Sequence, residues 1–266
     1  MLNVRKLFDI SKKVVIITGS AGLLGTQYAE GLSQMGANVV IADLDYKKCQ
    51  RLSKKIKSKY GTNPLAIKLD ITQKDSIKEM IKRIMKKYSK IDVLINNAAY
   101  QGDDKLRTKK FENFPKEIWE KAISVNLTGT FLCCQEIGKI MKKQKRGNII
   151  NIASTYGIVA PDQRIYGKSK QNPAAFYSAT KSAILNFTRY LASYWSKSGI
   201  RVNTLSPGGV FKNQNSDFVK KYSSKTMLGR MARKDEYVAA VIFLCSDASS
   251  YMTGSNLIID GGWTAW

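Results

Sequence analysis

The chain has 266 residues, 44% of them hydrophobic and 24% charged, with a formal net charge of +24 and no histidine. This length suits one domain with a large core, and the lack of histidine excludes Ser-His-Asp and Cys-His catalysis and histidine-bearing metal sites. The lysines are spread over predicted helix faces rather than gathered with aromatics into one stripe, which favours solvated faces over nucleic-acid binding. The positive electrostatic field that this net charge creates would still attract anionic small molecules.

The sequence shows no targeting segment. Its first eleven residues contain charges and no long apolar block, and no apolar run reaches the roughly 18 residues that cross a bilayer. The cysteines Cys49, Cys133, Cys134 and Cys245 have no CxxC spacing and are expected to be reduced thiols. These features predict a cytoplasmic protein without a metal site.

Short β-branched runs alternate with helical patterns along the whole chain. This alternation predicts βαβ units, and hence an α/β, doubly wound (Rossmann) fold with a parallel seven-stranded sheet, helices on both faces and a single domain over 1–266. The strand runs lie at 14–17, 39–42, 65–69, 93–95, 148–152, 202–205 and 257–259. The helical patterns lie at 23–36, 46–60, 73–89, 115–144, 174–198 and 234–246. Loops are predicted at 100–114, 157–173 and 207–230.

The first strand leads into a turn with Gly19, Gly22 and Gly25, and a helix follows. Glycines at such a turn let the backbone approach a pyrophosphate, whose charge is met by the helix N-terminus. The second strand ends at Asp43, 18 residues past the last glycine. A carboxylate there can accept hydrogen bonds from the adenosine ribose and would repel a 2′-phosphate, so the sequence favours NAD over NADP. A solvated aspartate at a strand end is the alternative.

The next two strand ends also carry polar or small residues. Asp70 could cap the following helix, in competition with Thr72 and Asp75, or touch an adenine. The fourth strand ends in Asn96-Asn97-Ala98-Ala99. Small residues there permit close contact with a flat ligand, whereas the asparagines can simply brace strands.

Tyr177 and Lys181 stand four positions apart in the predicted helix 174–198, so their side chains share one face. A nearby cation favours the phenolate. Two unit charges about 4 Å apart interact by about 4 kcal/mol at an effective dielectric of about 20, which would lower the pKa of the phenol from about 10 to about 7 at most. A general acid/base is most useful there. A chance pair on an ordinary helix is the alternative.

Together these motifs resemble the short-chain dehydrogenase/reductase family over nearly the whole chain. The matching motifs are Thr18-Gly19…Gly22…Gly25, Asn96-Asn97-Ala98-Ala99, Val125-Asn126-Leu127-Thr128-Gly129, Asn151-Ile152-Ala153-Ser154, Tyr177…Lys181, Arg201-Val202-Asn203, Pro207-Gly208-Gly209 and Asp260-Gly261-Gly262.

The resemblance implies four catalytic residues. Tyr177 would be the general acid/base, and Lys181 would lower its pKa and hold the nicotinamide ribose. Ser154 would hydrogen-bond the reacting oxygen, and Asn126, in a distorted helix turn, would position a water in a proton relay. The implied cofactor contacts are Gly19, Gly22, Leu24, Gly25, Asp43, Leu44, Asp70, Ile71, Asn97, Ala98, Ala99, Tyr177, Lys181, Pro207, Gly208 and Val210.

Two features depart from the family pattern. The GxxGxxG spacing is that of the family's longer, sugar-nucleotide-modifying branch, whereas the rest of the chain matches the shorter branch. The segment between Ser154 and Tyr177 is longer than usual and must pass beside the reacting centre. We expect substrate contacts from 155–173 and 207–230, with an inert surface insertion as the alternative for the first. The candidates are Thr155, Gln163, Arg164 and Gln214.

The apolar faces of the predicted helices 115–144 and 174–198 are larger than packing against one face of the sheet requires. In the family these helices form subunit interfaces, so the resemblance implies a homotetramer, or else a dimer. The C-terminal Trp266 is expected to pack on its own subunit or to reach a neighbour, because its large apolar area favours burial.

The long segment and the Gly-Gly-Trp-Thr-Ala-Trp ending are similar to dehydrogenases of bacterial flagellin-glycosylation and nonulosonic acid pathways. This implies an NAD(H)-dependent oxidoreductase that interconverts a secondary alcohol and a ketone on a sugar or sugar phosphate. The alternatives are a general polyol or 3-ketoacyl reductase, and a non-catalytic nucleotide-binding scaffold.

Overall fold

The computed structural model describes residues 3–103, 106–169 and 174–266. Its strands are β1 (Val14–Thr18), β2 (Asn38–Asp43), β3 (Leu65–Lys68), β4 (Val93–Asn96), β5 (Gly147–Ile152), β6 (Ile200–Pro207) and β7 (Asn256–Ile259). Its helices are α1 (Val4–Leu7), α2 (Leu23–Gln34), α3 (Tyr46–Tyr60), α4 (Lys74–Tyr88), α5 (Lys116–Ile123), α6 (Thr130–Gln144), α7 (Ala175–Tyr194), α8 (Ser216–Ser223) and α9 (Val238–Cys245).

The strands form one parallel seven-stranded sheet in the order β3-β2-β1-β4-β5-β6-β7. The predicted doubly wound fold with a single domain is therefore confirmed. The strand order reverses between β1 and β4, which creates a crevice at the carboxyl edge of the sheet where such folds bind ligands.

The sheet is buried on both faces. Val15 and Ile17 of β1 face a core completed by α2, α3 and α9, whereas Val14 and Ile16 face a second core completed by α4, α6 and α7. Burial on both sides explains why the central strands read as continuous apolar runs rather than as an alternating pattern. The lysines of α3 and α4 lie on the exposed sides of these helices, as the sequence predicts.

Three predicted boundaries differ from the structure. The pattern at 115–144 is two helices, α5 and α6, joined by a π-helical turn at Ser124–Gly129. The predicted loop 207–230 contains helix α8, and the predicted loop 157–173 contains a 3₁₀ segment, Gln163–Ser169. Residues 170–173 of that loop lie outside the described residues.

Trp266 contacts its own subunit through one hydrogen bond, from its indole nitrogen to the Lys225 carbonyl at 3.0 Å. Its side chain is otherwise 73% exposed, so the expected burial is not achieved within the subunit. In the described part of the chain, no helix combines the length and the apolar character that a membrane crossing needs.

Candidate active site

The glycine turn after β1 lies against the end of β4. Gly19 adopts a left-handed backbone, with φ of +63°, and a Cβ added to it would lie 2.6 Å from the Ala98 Cα. Only glycine fits such a close approach in this conformation. Helix α2 begins after Gly22 without a side-chain cap, so its first N–H groups remain available to an anion.

Asn97, which follows β4, braces the strand ends, which is the alternative that the sequence left open for these asparagines. The Asn97 side chain donates to the carbonyls of Thr18 and Gly19, both at 3.0 Å. The Thr18 hydroxyl oxygen in turn accepts the Asn97 and Ala98 N–H groups at 3.1 Å. These bonds fix the glycine turn to the strand end on the other side of the crevice.

Asp43 lies at the end of β2, half-buried beside the glycine turn. One carboxylate oxygen accepts the Ala21 N–H at 3.0 Å, and the other accepts the Asp45 N–H at 3.1 Å. Each oxygen keeps a further acceptor site, so the carboxylate is held in place and can still receive a ribose hydroxyl. The next residue, Leu44, is exposed.

Asp70 stabilises the turn before α4 rather than the first turn of that helix. Its carboxylate accepts the Thr72 N–H at 2.9 Å and the Thr72 hydroxyl at 2.7 Å. Helix α4 begins after Gln73 without a side-chain cap. Ile71 is buried against Gly129, where an added Cβ would clash with it.

The segment after β6 is fixed by four contacts. Gly208 donates to the Ile259 carbonyl at 2.8 Å and accepts the Tyr237 hydroxyl at 3.1 Å. The Tyr222 hydroxyl on α8 accepts the Gly209 N–H. Val210 forms a bridge to Ala232. The backbone that follows Pro207 is therefore held at the carboxyl edge of the sheet.

Tyr177 and Lys181 lie side by side on α7, as their spacing predicts. The Lys181 ammonium nitrogen is 5.7 Å from the centre of the Tyr177 ring and donates to the Ile152 carbonyl at 2.6 Å. Only 5% of Lys181 is exposed. Burial lowers the pKa of Lys181 to about 8, because a low-dielectric environment disfavours the charged form.

Ser154 follows β5 and lies between two contacts to α7. Ile152, before it, accepts the Lys181 ammonium; Gly157, after it, accepts the Ser182 hydroxyl at 2.9 Å. A Cβ on Gly157 would lie 2.7 Å from the Lys181 carbonyl oxygen. The Ser154 oxygen accepts the Tyr156 N–H at 3.2 Å, which leaves its own hydroxyl proton free to be donated elsewhere.

Asn126 lies in the π-helical turn, which agrees with the expected distortion. Its amide clamps the Tyr100 backbone, accepting the N–H at 2.6 Å and donating to the carbonyl at 3.0 Å. It also donates to the Thr180 hydroxyl at 3.3 Å, and that hydroxyl donates to the Tyr177 carbonyl at 3.1 Å. Asn126 is thus connected to α7 through Thr180.

The candidate substrate residues fall into two groups. Thr155 is buried next to Ser154, and Gln163 lines a surface pocket of about 680 Å³ whose α7 wall is Ala175 and Ser178. At about 100° per residue, Ser178 is turned about 100° and Ala175 about 160° from Tyr177 around the helix, so this pocket lies on a different face of α7 from Tyr177.

Arg164 and Gln214 are engaged locally. The Arg164 guanidinium makes two 2.8 Å bonds to Asp162 and its side chain is 81% exposed. The Gln214 amide donates to the Val210 carbonyl and accepts the Lys212 N–H.

Sequence reasoning missed four supporting residues, namely Thr18, Tyr156, Thr180 and Tyr222. Thr18, Tyr156 and Thr180 each lie within three positions of a predicted site residue. The groups that they contact, however, are distant in sequence or lie on another element. Tyr222 had only a weak signal, because Phe218, Val219 and Tyr222 have helical spacing but lie in a stretch that was predicted to be a loop.

A family model described as "Enoyl-(Acyl carrier protein) reductase" matches residues 19–264. The crystal structure of a short chain dehydrogenase from Leptospira borgpetersenii with bound NAD+ is 37% identical, with a TM-score of 0.84, and the match covers 99% of this chain and 97% of that one. This chain is a short-chain dehydrogenase/reductase.

Other members of the family are similar over almost their full length. An NAD-dependent glycerol dehydrogenase of Listeria innocua is 35% identical over 97% of this chain and 96% of its own. Post-translational flagellin modification protein A of Campylobacter coli is 31% identical over 96% of this chain and 99% of its own. A gluconate 5-dehydrogenase structure from Burkholderia cenocepacia, in complex with NADP and tartrate, is 28% identical, with a TM-score of 0.89 over 99% of this chain and 100% of that one.

Proposed function

We propose that this short-chain dehydrogenase/reductase is an NAD(H)-dependent enzyme that interconverts a secondary alcohol and a ketone on a polyhydroxylated substrate such as a sugar or sugar phosphate. The observation that carries the proposal is the pair on α7. A buried Lys181 ammonium lies 5.7 Å from the centre of the Tyr177 ring. It also donates a hydrogen bond to the Ile152 carbonyl at the end of β5, the strand that Ser154 follows.

In this proposal, proton transfer belongs to Tyr177. Its phenol gives a proton to a ketone oxygen in reduction and takes one from the alcohol in oxidation. The Lys181 cation favours the phenolate, and a lowered pKa for Tyr177 remains a prediction. Ser154, whose oxygen is already an acceptor for Tyr156, donates its proton to the same substrate oxygen and stabilises the charge that develops there.

The residues at the carboxyl edge fit a dinucleotide. The uncapped start of α2 and the glycine turn would receive the pyrophosphate, and Asp43 would receive the ribose hydroxyls. The nicotinamide supplies hydride transfer when it is bound. The remaining contacts would come from Leu24, Leu44, Asp70, Ile71, Asn97, Ala98, Ala99, Pro207, Gly208 and Val210.

The fixed carboxylate of Asp43 favours NAD, because a 2′-phosphate would bring a second negative charge against it. Both cofactors occur among the similar proteins, since the glycerol dehydrogenase is named as NAD-dependent and the gluconate 5-dehydrogenase structure holds NADP. The preference therefore depends on this chain's own residues, and Asp43 is the one that decides it.

A polyhydroxylated substrate is supported by two relatives whose names specify glycerol and gluconate. The net charge of +24 adds an attraction for anionic members of this class. Thr155 and Gln163 are the nearer candidates for contact. To contact a substrate, Arg164 would first have to release Asp162, and Gln214 would have to release the Val210 carbonyl.

The proposal extends to assembly and location. Trp119, Phe131, Tyr190 and Tyr194 are exposed aromatics on α5, α6 and α7, which favours a homotetramer or dimer built on these helices. Ile137, Ile184, Leu191 and Trp195, which also contribute to the predicted apolar surplus, are buried within their own subunit. Light scattering that finds a monomer at micromolar concentration would contradict the assembly. Four buried free thiols favour the cytoplasm.

The test is a coupled screen that follows NADH absorbance, with NADP in parallel. The probes are glycerol, sorbitol, gluconate, hexose phosphates and a 3-oxoacyl thioester. We expect at least one polyhydroxylated probe to turn over with NAD, with kcat/KM at least about tenfold above that with NADP. Preference for the thioester supports a 3-ketoacyl reductase. NAD binding without any turnover supports a scaffold.

A further inference from the structure

Tyr156 occupies a fixed position beside the candidate acid/base. It lies on the short helical turn Thr155–Gly157 that follows Ser154. Its N–H donates to the Ser154 oxygen at 3.2 Å, and Gly157, the next residue, is packed against the backbone of Lys181. The backbone of Tyr156 is therefore held between Ser154 and the turn of α7 that carries Lys181.

The ring of Tyr156 packs against an aromatic cluster formed by three separate segments. Tyr166 comes from the segment after β5, Tyr222 from α8, and Trp263 from the C-terminal tail. Tyr222 stacks on Trp263 with ring centres 4.4 Å apart, and its hydroxyl accepts the Gly209 N–H. The cluster thus connects the turn that follows Ser154 with the backbone after β6. Tyr156 is the member of the cluster that lies closest to Ser154 in sequence.

The Tyr156 hydroxyl is polar, partly enclosed and incompletely hydrogen-bonded. Among the described residues, its hydroxyl partner is the Tyr166 hydroxyl at 3.5 Å, which is well beyond the roughly 2.7–2.8 Å of an ordinary O–H···O bond. A phenol has one donor and acceptor lone pairs. Tyr156 can therefore form a shorter hydrogen bond with a third group.

The Tyr156 phenol stays neutral at working pH. Burial raises the pKa of the Tyr156 phenol far above its ordinary value, and the neighbouring phenols oppose its ionisation further. Tyr177 is one of those neighbours, so the hydroxyl lies within electrostatic range of the proposed acid/base. A neutral phenol both donates and accepts, which matches a hydroxyl group and not a hydrocarbon chain.

We propose that Tyr156 is a specificity-determining residue, whose hydroxyl hydrogen-bonds a substrate hydroxyl other than the one that reacts. This inference rests on the proposed function. It specifies polyhydroxylated substrates, because an acyl chain or a simple alcohol would leave the partly enclosed phenol with its long contact to the Tyr166 hydroxyl and no shorter hydrogen bond. Sites that bind a substrate hydroxyl in this way discriminate strongly against analogues that lack it.

The test compares Tyr156→Phe with wild type on glycerol, sorbitol and gluconate, and on propan-2-ol as the probe with one hydroxyl. The substitution keeps the ring in the aromatic cluster and removes only the hydroxyl. Tyr28→Phe is the matched control, because Tyr28 is a fully buried tyrosine in the core on one face of the sheet, and its hydroxyl has no partner among the described residues. NAD affinity and melting temperature are measured for each variant.

We expect Tyr156→Phe to lower kcat/KM for polyhydroxylated probes at least about tenfold, mainly through KM, and to change it less than about twofold for propan-2-ol. The NAD affinity and the Tyr28→Phe kinetics should match wild type. Unchanged kinetics on polyhydroxylated probes, or equal losses on all probes, would overturn the inference while leaving the proposed reaction intact. A wild-type enzyme that turns over no probe with either cofactor contradicts the proposed reaction, and the inference with it.

Discussion

The lysine beside the candidate acid/base shows how function and stability compete at one residue. Lys181 is buried, and among the described residues its ammonium has one hydrogen bond, to the Ile152 carbonyl, and no carboxylate partner. A buried ammonium without a carboxylate partner costs free energy of folding. The lowered pKa of Lys181 expresses that cost, and the same cation is what favours the phenolate of Tyr177.

This cost predicts a specific pH dependence of stability. The pKa of Lys181 falls from 10.5 to about 8 on folding, so between these values the unfolded chain binds more protons and stability rises with pH. The free energy of unfolding of wild type, minus that of Lys181→Met, should therefore increase by about 3 kcal/mol from pH 7 to pH 10.5.

Urea unfolding of both proteins without cofactor measures this difference, and titrating groups that do not interact with Lys181 cancel between them. Lys181→Met also removes the hydrogen bond to Ile152, which changes the free energy of unfolding by an amount that does not depend on pH. A flat difference across this range would show that Lys181 is not a desolvated cation in the folded protein.

The segment after β5, helix α8 and the C-terminal tail pack as one unit. The Asp162 carboxylate pairs with Arg164 at 2.8 Å and with Lys225, just after α8, at 3.1 Å. Tyr166 contacts Phe218 of α8, with ring centres 5.4 Å apart. The neighbouring cations hold the pKa of Asp162 well below its ordinary range, with the Arg164 hydrogen bond the largest cause.

Asp162→Asn should loosen this unit without affecting the sheet. The substitution removes the charge that holds Lys225, and partly exposed ion pairs of this kind contribute about 1 kcal/mol or less. Hydrogen exchange measured by mass spectrometry should then rise a few-fold in 216–230 and stay unchanged in the strands. Asp235→Asn is the control, since Asp235 pairs with Arg233 at an exposed position. No change in 216–230 would mean that the ion pair does not hold α8 against the segment after β5 and that aromatic packing does.

The strands and long helices could be predicted because each carries a local pattern of buried residues. The break at Ser124–Gly129 was expected only from the family resemblance and has no local pattern, because the turn is fixed by a clamp between Asn126 and the backbone of Tyr100, which is 26 positions away. Helix α8 was missed because its eight residues follow a stretch rich in glycine and asparagine. Its helical spacing alone was too short to outweigh those turn signals.

The molecule brings together the ends of separate strands, and this is why a candidate site could be predicted from the sequence. The glycine turn, Asp43, Asn97 and Ser154 each follow a different strand, and parallel strands place all these ends at one edge of the sheet. The sequence could not predict which side chains contact each other, for example that the Arg164 guanidinium pairs with the Asp162 carboxylate. Such contacts depend on loop packing rather than on strand order.

The most direct test of the account is the turnover of Tyr177→Phe, measured by NADH absorbance with the best substrate from the screen and supported by NADH affinity from fluorescence. Tyr190→Phe, an exposed tyrosine on the same helix, is the matched control. The account predicts that Tyr177→Phe loses at least about a hundredfold in kcat, while NADH affinity stays within about threefold and the control behaves as wild type. A Tyr177→Phe enzyme that keeps kcat within about tenfold of wild type would contradict it.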